Sequence, residues 1–165
     1  MVKVMGIDPG LASTGIGIVK GSRSRIDGFS FGCIATSKRI SLPARLDQIF
    51  SKLLSVLVDE NPDLLVIEDV FTLKEYPKSG IILGEAVGVI LLAGFKAKVP
   101  SVKISVREAK QILTGNGKAD KKQLEKAVRH QLKLNTPIKP LHASDALGLA
   151  LIGLYRYESF APSSA

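Results

Sequence analysis

The 165-residue chain has one cysteine, two histidines and no tryptophan. A lone thiol, Cys33, rules out an intramolecular disulfide and suits a reducing compartment. One Cys with His130 and His142 is too few for a zinc centre of the usual Cys/His kind. No stretch reaches the roughly 18–20 uninterrupted apolar residues of a membrane span, and the start, Met1-Val2-Lys3-Val4, lacks the apolar stretch of a signal peptide. A cytoplasmic protein with no membrane partner is therefore expected. Acids are scarce as well, 15 against 23 Lys and Arg, for a formal charge of +8. What is present is globular in balance: 45 % apolar and 23 % charged residues, in a chain long enough to bury a core unaided. No repeat or linker divides it. The expectation is one domain over residues 1–158 and a frayed C-terminal tail over 159–165.

The positive charge is concentrated. Residues 96–140 hold twelve Lys and Arg against three acids, a surplus of +9 that leaves the remainder at −1. Such a tract fits a polyanion-binding face, although a solvated helical surface would read the same. Between Lys110 and Lys122 the one acid is Asp120, which favours nucleic acid. The basic helix in this region has a small apolar face and no aromatic residue, which disfavours a membrane surface.

Period-two and apolar runs predict strands over 2–8, 14–19 and 25–35, the first three forming an antiparallel meander turned at Pro9-Gly10 and near Gly21. Leu42, Leu46, Ile49, Phe50, Leu53, Leu54 and Leu57 recur at helical steps behind a candidate N-cap, Ser41, and Asn61-Pro62 stops them. Leu64–Ile67 reads as a buried strand. A polar loop follows to about Lys78. Residues 79–97 are apolar nearly all round, predicting a helix buried on several sides. In it Gly80, Gly84 and Gly88 form a stripe that suits close packing against another backbone, in this chain or in a second copy. A strand at 99–104 and helices at 105–113, 120–132 and 142–157 complete the order β-β-β-α-β-α-β-α-α-α. That order implies an α/β fold, a mixed sheet with helices on its faces.

Four polar residues stand out. Asp8 ends the first strand, Glu68 ends the buried strand 64–67, and Asp145 lies in a helix of Ala, Leu and Gly one turn after His142. Residues at i and i+3 share a helix face. If strands one and four are neighbours through a right-handed crossover, Asp8 and Glu68 meet at one sheet edge, and the last helix can bring His142 and Asp145 across it. Buried carboxylates need a partner or a cation. Three of them with an imidazole suit hard divalent ions, and two such ions activate water and stabilise a leaving oxygen at a phosphodiester. Each residue alone also has a plainer reading: Asp8 as a turn residue, Glu68 as a structural strand-end acid, Asp145 as a helix-start acid, His142 as a cap.

Gly6-Ile-Asp8-Pro-Gly-Leu-Ala-Ser-Thr-Gly-Ile-Gly17, Val66-Ile-Glu68-Asp-Val-Phe71, Leu83-Gly-Glu-Ala-Val-Gly88 and His142-Ala-Ser-Asp-Ala-Leu147, in this order over nearly the whole chain, resemble the motifs of the RuvC family of Holliday junction resolvases. The resemblance implies a ribonuclease H-like fold with a five-stranded sheet, and a homodimer acting on four-way junction DNA beside a branch-migration motor. It implies metal-dependent hydrolysis by symmetric nicks, giving 5′-phosphate and 3′-hydroxyl ends. Asp8, Glu68, His142 and Asp145 match the family's metal positions, for two Mg2+ per site with Mn2+ as a substitute. Some members have aspartate where His142 stands. Phe71 matches an aromatic that works at the junction centre. Lys110 and Lys121 match basic residues that contact DNA near the scissile phosphate. Arg107, Lys118 and Lys122 join the DNA set on charge alone. The glycine-striped helix matches the dimer-interface helix. Residues 72–79 lack the family's Asn-rich run. Other readings are a different ribonuclease H-like nuclease on branched DNA or RNA–DNA hybrids, a non-catalytic junction-binding module, and a phosphate loop of the actin-like kinase type, which needs a second lobe.

Overall fold

The computed structural model describes residues 1–69 and 77–160. Its elements are β1 (Val2–Asp8), β2 (Ser13–Ser22), β3 (Arg25–Ala35), α1 (Leu42–Glu60), β4 (Leu64–Asp69), α2 (Pro77–Lys96), β5 (Ser101–Ser105), α3 (Val106–Thr114), α4 (Lys121–Gln131), α5 (Leu141–Tyr155) and α6 (Tyr157–Phe160). The strands form one sheet in the order β3-β2-β1-β4-β5. The β1–β2 and β2–β3 pairs are antiparallel, and β1–β4 and β4–β5 are parallel. The expected mixed sheet is present, with β1 and β4 as neighbours.

Alternation along the strands sorts the core into two layers. Met5, Ile7, Ile16, Ile18, Leu65 and Ile67 face one side, packed with Ile49, Leu53 and Leu57 of α1 and Ile90 and Ala93 of α2. Val4, Val19, Leu64, Val66 and Ile104 face the other, against α3, α4 and α5. Helices therefore cover both faces. Helix α1 starts at the N-cap Ser41, whose hydroxyl accepts from the Ala44 N–H, and ends at left-handed Asn61, as the sequence signals. Asp120 caps α4 through a reciprocal capping box with Gln123.

The face carrying α5 has an unusual seat. A Cβ on Gly6 would lie 2.0 Å from Ala146 O, one on Gly15 would lie 2.1 Å from His142 O, and one on Gly17 would lie 2.4 Å from Leu147 N. Bare glycine at these positions of β1 and β2 lets the α5 backbone lie directly on the sheet.

Two expectations need correction. Helix α2 is not buried on several sides: Ala86, Ile90 and Ala93 are buried, but Ile81, Leu92 and Phe95 are 62 %, 47 % and 75 % exposed. An added Cβ at Gly84 or Gly88 meets nothing within 4 Å among the described residues, so these glycines do not serve packing against any described part of the chain. Length and composition alone would let Lys78–Lys96 cross a bilayer, yet Glu85 interrupts it and one side is fixed on α1. The second correction concerns the tail. Ser159 and Phe160 are helical, and Phe160 packs against the α5-side core; residues 161–165 lie outside the described residues.

Candidate active site

Register brings the first two acids together. Val4 pairs with Leu64 and Ile7 with Ile67, so the next pair along is Asp8 with Glu68. Both follow the parity of Val4 and Val66, and both therefore point to the α5 side. The parallel pairing puts both at C-terminal strand ends, on one edge of the sheet. The turn after Asp8 is pinned by buried Thr14, whose hydroxyl donates to Gly10 O at 2.8 Å. Helix α5, resting on Gly15 and Gly17, delivers His142 and Asp145 from its first turns to that edge.

Asp8, Glu68 and Asp145 line a cleft of about 90 Å³ with Lys110, Lys121 and the apolar Val106, Ala109, Leu124 and Leu149. Asp8 is 6 % exposed. Burial pushes its carboxyl up to about 6, with Asp145 adding to the rise against the Glu68 hydrogen bond and the Lys121 charge. Burial, then the charge of Asp8, push Glu68 up to about 8. The two carboxyls form a tightly coupled pair, and the direction is upward for both because like charges share a poorly solvated site. Lys121 Nζ lies 3.3 Å from Asp145 Oδ2. Burial pulls this ammonium down, but Asp145, Asp8 and Glu68 outweigh it and hold it above its ordinary value. Lys121 is thus the counter-charge of the cleft.

His142 sits to one side of that arrangement. Its Nδ1 is 2.6 Å from Asp8 Oδ2, a hydrogen bond whose direction depends on the imidazole tautomer. Its side chain is 43 % exposed, so it stands at the outer flank of Asp8 rather than lining the cleft. The expected three acids do converge, and the imidazole joins them through Asp8.

Among the described residues, no three acid, imidazole or thiol side chains are drawn into a ring ready to close on an ion. The donor set nevertheless fits a hard divalent cation. Three carboxylates share one cleft with two lysines, two of the acids have raised proton affinity, and a bound divalent cation would relieve that crowding.

The expected DNA-contact residues do not lie in one cluster. Lys110 and Lys121 line the cleft. Lys118 is exposed in the turn before α4, where its N–H donates to Asn116 Oδ1. Arg107 is exposed and its stem runs beside Gly117. Lys122 points away from its neighbour Lys121, into a groove with Lys126 and the segment Pro137–Leu141. Phe71 and residues 72–76 lie outside the described residues. The expected loop is shorter at its far end, because α2 already begins at Pro77. Gly6, Gly15 and Gly17 are the functional positions that sequence reasoning missed. The alternate glycines of β2 were a visible signal, but only α5 gives them a meaning.

A mixed five-stranded sheet of this order, with a buried and a half-buried acid at the ends of two adjacent parallel strands and a third on a helix laid across them, defines a ribonuclease H-like nuclease fold. The family model of crossover junction endodeoxyribonuclease RuvC matches residues 4–153. The chain is 36 % identical to the crossover junction endodeoxyribonuclease RuvC of Syntrophomonas wolfei, over 99 % of this chain and 96 % of that one. It is 37 % identical to that of Carboxydothermus hydrogenoformans, over 94 % and 97 %. Among solved structures, Thermus thermophilus RuvC in complex with a Holliday junction substrate superposes with a TM-score of 0.85 at 27 % identity, covering 96 % of each chain. The chain belongs to the RuvC family.

Proposed function

We propose that the chain is a structure-selective endonuclease that resolves four-way DNA junctions by paired, symmetric phosphodiester hydrolysis, in recombination and repair in the cytoplasm. The observation that carries this reading is the convergence of Asp8, Glu68 and Asp145 with Lys110 and Lys121 in one cleft, within a chain of this family.

Asp8, Glu68 and Asp145 would hold magnesium, with His142 beside them, and manganese would substitute. Bound there, two such ions would supply an activated water and stabilisation of the departing 3′-oxygen. The chain's own residues prepare the rest. His142 orients the Asp8 carboxylate. Lys121, with its side chain 60 % exposed, exchanges Asp145 for the scissile phosphate, and Lys110 holds that phosphate from the α3 side. Val106, Ala109, Leu124 and Leu149 keep the floor of the cleft apolar, which strengthens these charge interactions. The products would be a 5′-phosphate and a 3′-hydroxyl.

Junction selectivity would come from pairing two such clefts. Phosphate contacts fix position and orientation without reading sequence. The open stripe of α2, with Ile81, Leu92 and Phe95 around Gly84 and Gly88, is the surface we assign to a homodimer: small residues admit a second helix backbone and exposed apolar ones supply the driving force. Phe71 would work at the junction centre, and a branch-migration motor would share the junction.

The test is a synthetic four-way junction incubated with Mg2+ or Mn2+ and mapped on all strands. Symmetric nicks that vanish in Asp8→Asn are expected. Tight junction binding with no nicking under either metal would leave a binding module; preferential cutting of RNA–DNA hybrids would leave a different nuclease.

A further inference from the structure

The basic charge does not end at the cleft. On α4, Lys122, Lys126 and Arg129 recur at four- and three-residue steps and form one stripe along the helix; Lys133 follows just past the helix end, after the cap Leu132. Arg129 is held by buried Glu125 at 3.2 Å. Lys122, Lys126 and Lys133 are exposed and have no ion-pair partner among the described residues. The stripe starts beside Lys121 in the cleft and runs to the opposite end of the sheet. There Lys133 joins Arg23 and Arg25 of the β2–β3 hairpin around a groove of about 520 Å³, with Tyr155 and Gln131 in its wall. The one acid lining this groove, Asp27, accepts from Arg25, which leaves Arg23 and Lys133 as uncompensated cations.

Two rulers give its distance from the cleft. Helix α4 runs from Lys121 to Gln131, about 15 Å at the helical rise, and Lys133 lies just beyond its end. The hairpin end of β2 pairs with Val2 while Asp8 pairs with Gly15, which separates the ends of β1 by about 20 Å. At 3.4 Å of axis per base pair, these lengths span about four to six base pairs of duplex. An anion that repeats its charge along a line matches a stripe ending in a cationic groove.

We infer that the groove formed by Arg23, Arg25 and Lys133 is a second, remote DNA-phosphate site, which grips the backbone of a junction arm about five base pairs from the bond to be cut. This rests on the proposed reading that four-way DNA is the substrate. The remote site would set the direction in which the arm leaves the cleft. Lys122 and Lys126 lie along the track between the two sites.

The experiment is junction binding by fluorescence anisotropy across a salt series, with Ca2+ replacing Mg2+ to suppress cleavage. The variants are Arg23→Gln, Lys133→Gln and the pair. Glutamine keeps most of the stem, and at Lys133, where φ is +54°, it is no more strained than lysine. Lys52→Gln, on the other sheet face, is the charge-matched control. The slope of log affinity against log salt should become shallower by about 0.9 per cation removed, with about tenfold weaker binding for the pair. Methylphosphonate linkages placed about five base pairs from the cut should weaken the wild type and leave the double variant indifferent. Unchanged slope and affinity in the pair would overturn the remote site and leave an acidic protein surface as the groove's candidate occupant. An equal loss in Lys52→Gln would also overturn it, because net charge would then explain the effect. Failure of the wild type to bind any junction would sink the nuclease reading itself, a result distinct from both.

Discussion

Helices α2 and α5 are the two most apolar in the molecule, and the fold treats them in opposite ways. In α5, every residue from Ala146 to Leu154 is buried, as are Ala143 and Ser144. In α2, only 28 % of Lys78–Lys96 is buried. Glycine marks both. Under α5 the glycines belong to the strands, and a Cβ on any of Gly6, Gly15 or Gly17 would strike helix backbone. On α2 the glycines belong to the helix, and Gly84 and Gly88 face open space. The same chemistry, absence of a side chain to let backbones approach, is already used on one sheet face and stands ready on the other. The α5 contact builds the acid-bearing edge inside one chain. The α2 stripe suits joining two such edges.

The comparison can be tested from its strongest element downward. Asp145→Asn, on the helix that glycine seats, should reduce junction cleavage by about 10²–10³-fold or more, the scale of losing one preorganised electrostatic group. Circular dichroism should remain native. Retained cleavage would detach α5 from the chemistry.

Gly17→Ala should cost at least about 3 kcal/mol, because backbone rather than a movable side chain blocks the new methyl. Gly88→Ala should be neutral for folding of the chain or stabilise it by up to about 1 kcal/mol through helix propensity. Urea unfolding at matched concentration reads both. Equal costs would erase the contrast.

Phe95→Glu should shift the light-scattering mass toward a monomer and turn paired nicks into single ones, with little change in monomer unfolding. A full-sized dimer would remove α2 from the interface.

The smallest effect is on pH. Asp8 and Glu68 are raised from 3.8 and 4.5 to about 6 and about 8. Over that window the folded state binds more protons than the unfolded state, so stability falls as pH rises. In EDTA the melting temperature should therefore drop between pH 5 and pH 8. Mg2+ should restore more at pH 8 than at pH 5. Asp8→Asn should melt higher than wild type in EDTA at pH 8 while cleaving nothing. A flat profile would show that the cleft tolerates its three acids without a cation.

Much of this was readable before any coordinates. Strand and helix periods, the Ser41 cap and the Asn61-Pro62 stop are local signals, set by residues within a turn or two of one another. The acids announced themselves by interrupting apolar runs at Asp8, Glu68 and Asp145. Burial of α2 was misread because an all-round apolar helix looks the same whether its own chain or a second copy is to cover it. The divergence of Lys121 and Lys122 was hidden too. Neighbours on a helix point about 100° apart, and only the positions of α3 and α5 show which of the two faces the acids.

By itself, then, the sequence determined which segments are strands and helices, where the acids interrupt them, and that positive charge gathers late in the chain. Each of these follows from short-range stereochemistry and the pattern of burial. The tertiary structure decided that Val4 pairs with Leu64, so that Asp8 and Glu68 share a face. It decided that bare glycines let α5 descend on that face, and that α4 leads from the cleft to Arg23 and Lys133. Those are choices of register and approach distance between segments sixty or more residues apart, and no local preference encodes them.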